Sequence, residues 1–110
     1  MEPSFYRNLP AEKFQYLRED PSVDRWLRFK EPWTQHLYLS TFKHFIEDLT
    51  GPQLGLKDPS SIVTWAKSRP DNIEVQDVIE KFAESQPATA RVVRMSIVRS
   101  FLKQIGRAHV

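Results

Sequence analysis

Apolar residues recur along this chain at intervals of three and four, and prolines interrupt the pattern. Phe14 and Leu17 share one side of a segment from Ala11 to Glu19, the weakest of the helical stretches. Ser22 is placed to cap a short helix that holds Val23, Trp26, Leu27 and Phe29 and that Pro32 ends. The clearest helix opens on Thr34 as N-cap and carries Tyr38, Phe42, Phe45, Ile46 and Leu49 within an arc of about 100°. Gly51 is expected to stop it. Its other face holds His36, Ser40, Lys43, His44 and Glu47.

After a loop containing Pro52, Gly55 and Pro59, Ser60 or Ser61 opens a short helix with Ile62, Val63 and Trp65, closed before Pro70. Val75, Val78, Ile79 and Phe82 line the next helix, whose other side is acidic through Glu74, Asp77, Glu80 and Glu84. A last helix runs from about Thr89 to Ile105, with Gly106 as its C-cap. No alternating β-branched run with hairpin turn chemistry occurs. The prediction is an all-α chain, a compact bundle of four to five helices.

Composition agrees with a globular chain. The 110 residues are 40% apolar and include three Trp, three Tyr and seven Phe, enough for a core of their own. With no Cys there is neither a disulfide framework nor a thiolate metal site, which fits a reducing compartment. The start, MEPSFYRNLP, lacks a long apolar run, and no stretch approaches a membrane span. The expected location is cytoplasmic, with no membrane partner. Residues 1–21 are expected to form an arm or extra helix, 22–106 the helical domain and 107–110 a polar tail.

Charge then singles out one element. From Ser85 to Val110 the chain holds Arg91, Arg94, Arg99, Lys103 and Arg107 and no acidic residue, although the whole chain is only +2. A polyanion responds to that local excess rather than to the total. Arg99, Lys103 and Arg107 form a stripe at i, i+4 and i+8, on the flank of an apolar side made by Ile97, Val98, Phe101, Leu102 and Ile105. Arg94 projects instead between Phe101 and Ile105, and Arg91 falls near Leu102. A buried unpaired guanidinium is very costly. Either Arg94 pairs with a carboxylate of the acidic helix, or the first turns of the last helix protrude and leave Arg91 and Arg94 for a ligand.

Little points to catalysis. His36 and His44 lie eight apart on one helix, about 12 Å along its axis and too far to share a metal. The adjacent pairs Glu19-Asp20 and Glu47-Asp48 point different ways on a helix. There is no glycine-rich phosphate loop. The expectation is a non-catalytic chain without metal or cofactor.

Two segments carry a resemblance. Pro32-Trp33-Thr34-Gln35-His36-Leu37-Tyr38-Leu39-Ser40-Thr41-Phe42-Lys43-His44-Phe45 resembles the P-x-T-x₃-Y-x₃-L-x₂-F signature of the core-binding domain of tyrosine recombinases, the phage-integrase family. Thr89-Ala90-Arg91-Val92-Val93-Arg94-Met95-Ser96-Ile97-Val98-Arg99-Ser100-Phe101-Leu102 is similar to a later helix of that domain. Order and spacing agree with the family, and the likeness covers residues 22–105. It implies a SAM-like helical domain that clamps duplex DNA beside a catalytic domain not contained in this chain. The family's catalytic constellation, an Arg, a Lys, an H-x-x-R pair and a nucleophilic Tyr, belongs to that other domain, and no His here is followed three residues later by Arg.

By position the resemblance implies DNA contacts from Trp33, Thr34, Leu37 and Lys43, and from Thr89, Arg91, Arg94 and Ser96. The entrance and polar face of the Thr34 helix add Gln35, His36 and Ser40, and the basic flank adds Arg99. Self-association is expected only on DNA and in the full-length protein. A rival reading is a helical adaptor that binds an acidic protein partner, with Trp33 and Trp65 in the partner's groove.

Overall fold

A computed structural model describes residues 11–106 of the chain; residues 1–10 and 107–110, including Tyr6, Arg107 and His109, lie outside the described residues. Among the described residues there are six α-helices, one for each helical stretch read along the sequence: α1 (Ala11–Arg18), α2 (Pro21–Leu27), α3 (Pro32–Phe45), α4 (Pro59–Ser68), α5 (Ile73–Ser85) and α6 (Arg91–Gln104). The fold is all-α. No helix among the described residues is long and apolar enough to cross a membrane.

Three of the helix starts follow a rule that shifts them from their expected places. Asp20-Pro21, Glu31-Pro32 and Asp58-Pro59 all set an acidic residue at the N-cap and Pro in the first turn. Pro is suited there because its missing N–H is not needed and its φ is already helical. Asp20 Oδ1 accepts from the Ser22 amide at 2.8 Å, and Asp58 Oδ1 from the Ser61 amide at 2.8 Å. Ser22, Thr34 and Ser60 or Ser61 are therefore not the caps.

The third helix does not stop at Gly51. It continues from Ile46 to Leu54 as a π-helix with Pro52 inside. In α winding Pro52 would lack its N–H bond and press its ring on the carbonyl four residues back. Wider turns relieve that clash. Gly51 is required in them, because a Cβ there would stand 2.8 Å from the Ile46 carbonyl oxygen. Gly55 ends the segment at φ 71°, and the Thr50 hydroxyl donates to the Leu56 carbonyl at 2.8 Å.

Aromatic rings run through the core. Phe42 meets Phe101 at 4.6 Å between ring centroids, Phe45 meets Phe82 at 5.1 Å, and Trp26 lies 5.1 Å from Phe101. Trp26 also donates its Nε1–H to Ser100 Oγ at 3.0 Å, and Gln104 donates to the Ser22 carbonyl at 3.1 Å, so α2 is fastened along α6. Phe14 and Leu17 of α1 are buried in this same core. Phe29 differs from its expected place in α2. That helix ends at Leu27, and Phe29 is 95% exposed in the turn that follows.

Candidate nucleic-acid interface

The residues singled out on α3 fall into two groups. Trp33 and Leu37 are exposed. The others are largely engaged within the molecule. The Thr34 hydroxyl donates to Glu31 Oε1 at 3.2 Å. Gln35 donates to the Leu27 carbonyl at 3.1 Å and the Lys30 carbonyl at 2.8 Å, and accepts from Arg18 at 3.1 Å. It closes the turn between α2 and α3, so its side chain is committed to the fold.

His36 stacks on Trp33 with centroids 5.5 Å apart and meets Phe14 edge-on at 5.6 Å. Lys43 pairs with Glu47, Ser40 is half-buried, and His44 Nδ1 lies 3.4 Å from Asp48 Oδ2. Helix α1 accounts for part of this cover. Burial raises the pKa of Tyr16 above its ordinary value, with Lys43 lowering it and Glu47 raising it by their charges. The Tyr16 hydroxyl therefore sits within electrostatic reach of the polar flank of α3.

At the start of α6 the arginines take an arrangement that neither sequence alternative described. Arg91 Nε donates to the Ala83 carbonyl at 2.8 Å and its Nη2 to the Gln86 carbonyl at 3.3 Å. A cation thus sits on the last carbonyls of α5, the favourable end of the helix dipole. Arg94 donates to the side-chain oxygen of Gln86, which in turn donates to Asp48 Oδ2 at 3.0 Å and to Ser85 Oγ at 2.8 Å. Gln86, only 3% exposed, connects the α3 extension with α6. Arg94 has a neutral amide as partner instead of a carboxylate. The one sequence sign of Gln86 is its place before Pro87, which favours the extended backbone it adopts as C-cap of α5.

The other residues singled out in this region differ in exposure. Thr89 and Ser96 are exposed, Lys103 is exposed, and Arg99 is half-buried with its Nε lacking a hydrogen-bond partner. The first turn of α6 follows Ala90, which has no side chain to cap it. All four i,i+4 ion pairs among the described residues lie outside α6: Arg28–Asp24, Lys43–Glu47, His44–Asp48 and Lys81–Asp77.

Helical rotation decides which of these residues can act together. Trp33 and Phe42 are nine positions apart, half a turn out of phase, and so are Val92 and Phe101. Phe42 and Phe101 face each other between the helices. The Trp33–Leu37 side of α3 and the Val92–Lys103 side of α6 therefore point away from each other. What joins the two helices at their polar sides is the Asp48–Gln86–Arg94 link. Trp65 is half-buried against the core with the Arg69 guanidinium 5.5 Å over its ring, so it is not a protruding side chain.

Comparison of the chain with protein-family models, with curated proteins and with solved structures finds no match.

Proposed function

We propose that this is a non-catalytic, duplex-DNA-binding domain of the kind that serves a site-specific tyrosine recombinase, holding DNA beside a separate catalytic domain. The observation that carries the reading is the outer side of α6. Arg99 and Lys103 stand there, none of the fourteen residues of α6 is acidic, and the helix has no i,i+4 ion pair. Mixed signs are the usual solution for a face that needs only to be soluble. Phosphates would be met by Arg99 and Lys103, with Thr89, Ser96 and the open amides of the first turn beside them. Arg91 and Arg94 set the position of that helix. Trp33, Leu37 and their neighbours on α3 would form a second contact region on the other side. On this reading the protein works in the cytoplasm, on nucleoid DNA.

Fluorescence anisotropy with a labelled duplex tests the reading. Binding tighter than about 1 mM at low salt is expected, with log K falling linearly against log salt by about 0.9 for each phosphate contact. Lys103→Gln should reduce that slope by about one contact. Absence of binding at low salt, or binding without a salt slope, overturns the proposal. A second reading, a helical adaptor for an acidic protein, draws on the exposure of Phe29, Trp33 and Leu37. It predicts that duplex DNA does not bind while an acidic partner does.

A further inference from the structure

Helices α5 and α6 expose faces of the same spacing and opposite charge. On α5, Ile73, Asp77, Glu80 and Glu84 are exposed at i, i+4, i+7 and i+11, a single helical face. On α6 the series Val92, Ser96, Arg99 and Lys103 has those same intervals. Each begins with an aliphatic residue that is open to solvent. Ile73 is 75% and Val92 71% exposed, more than any other large aliphatic side chain among the described residues. Such residues usually stand singly and mean nothing. Here Ile73 heads an acidic stripe and Val92 a basic one, and Glu80 and Glu84 fall at the positions of Arg99 and Lys103, while Asp77, which pairs with Lys81 in its own helix, falls at the neutral Ser96.

A shallow, open hollow lies at the start of the α5 face. An open groove of about 430 Å³ is lined by Asn72, Ile73, Gln76, Asp77 and Glu80. Within one chain the two stripes cannot meet, because α5 and α6 pack through their opposite sides, with Val75, Ile79 and Phe82 on one and Ile97, Val98 and Phe101 on the other. Glu84 and Lys103 have no ion-pair partner among the described residues.

We propose that the α5 groove of one copy receives the outer face of α6 of a second copy. Laid side by side in the same direction, the two helices place Ile73 on Val92, Asp77 by Ser96, Glu80 by Arg99 and Glu84 by Lys103. The contact is between unlike surfaces, so each added copy leaves one acidic and one basic face unused. Association is open-ended, weak and salt-sensitive, since its ion pairs lie at a solvated rim. It needs neither DNA nor any further domain, and it does not rest on the DNA-binding reading. It does share Arg99 and Lys103 with the proposed phosphate contacts, so a duplex and a second copy compete for α6.

Sedimentation velocity over a range of protein concentrations at low ionic strength tests this. The weight-average sedimentation coefficient of the wild-type chain should rise past the dimer value and return to that of a monomer at about 0.5 M salt. Glu84→Lys and Lys103→Glu, both at exposed positions, should each give a monomer with unchanged far-UV circular dichroism. An equimolar mixture of the two variants should associate again, because each supplies the charge that the other reversed. Ile73→Ser should weaken association by about tenfold. A wild-type monomer at every concentration, a mixture that stays monomeric, or indifference to Ile73→Ser would each overturn the proposal.

Discussion

The side-chain oxygen of Gln86 accepts a hydrogen bond from the Arg94 guanidinium, and this neutral partner keeps a cation on the inner side of α6. Replacing Gln86 by Leu keeps the bulk of the side chain but removes both its acceptor and its donor. Arg94 and Asp48 then lose a partner at the same time. A half-buried polar group left without its partner costs about 1–3 kcal/mol. Urea unfolding of Gln86→Leu should show a loss of that size, whereas Lys67→Gln at an exposed position of α4 should change stability by less than about 0.5 kcal/mol.

Gly51 allows a second test that is purely steric. Alanine there would set a Cβ 2.8 Å from the Ile46 carbonyl oxygen, and backbone cannot move aside as a flexible side chain would. Overpacking of this kind costs about 1–3 kcal/mol. The melting temperature of Gly51→Ala should fall by roughly 4–8 °C for each kcal/mol lost.

Two phenylalanines should behave in opposite ways. Phe101 is fully buried against Phe42 and Trp26, and Phe101→Ala should cost about 3–5 kcal/mol and expose the core to denaturant. Phe29→Ser should leave the denaturation midpoint almost unchanged, because a side chain 95% exposed loses little on removal. Guanidinium denaturation of the two variants side by side checks the contrast.

Tyr16 makes stability depend on alkaline pH. Burial raises its pKa in the folded chain, so the neutral phenol is the favoured form there. Its contribution is fully present below the ordinary tyrosine pKa of 10.0 and is lost as pH rises through the higher folded value. Tyr16→Phe should flatten this part of the stability profile above pH 10, as read from denaturant midpoints. A profile unchanged by the substitution would show that another group titrates.

The core was largely legible because its residues recur at helical intervals. Phe42, Phe45, Val75, Ile79, Phe82, Ile97, Val98 and Phe101 all lie where periodicity puts them. Phe29 was misplaced because an apolar residue three positions after Trp26 fits a helical pattern equally well whether or not the helix has already ended. The caps were missed for a different reason. A Ser or Thr a few residues on looked like a better N-cap, but Pro21, Pro32 and Pro59 in the first turn fix the cap at the acidic residue before each.

Phe14 and Leu17 show what a short helix hides. Two apolar positions on eight residues give a weak signal, and only packing against α3 brings them inside. At the candidate interface, helical geometry correctly put Arg94 on the inner side of α6. Its partner came from a glutamine at the end of another helix, and no spacing rule points to that.

The π-helical stretch from Ile46 to Leu54 has a consequence for how this chain tolerates changes in length. An i→i+5 turn holds one more residue than an α turn, so the segment acts as slack that could be drawn in. Remove one residue there and ordinary turns become available, but everything downstream is rotated and shifted. Leu54 and Gly55 would leave their places, and the loop would deliver Asp58 and α4 at a different angle. A deletion in a surface loop is absorbed locally. Here, chain length itself acts as a dial on where the second half of the domain is aimed.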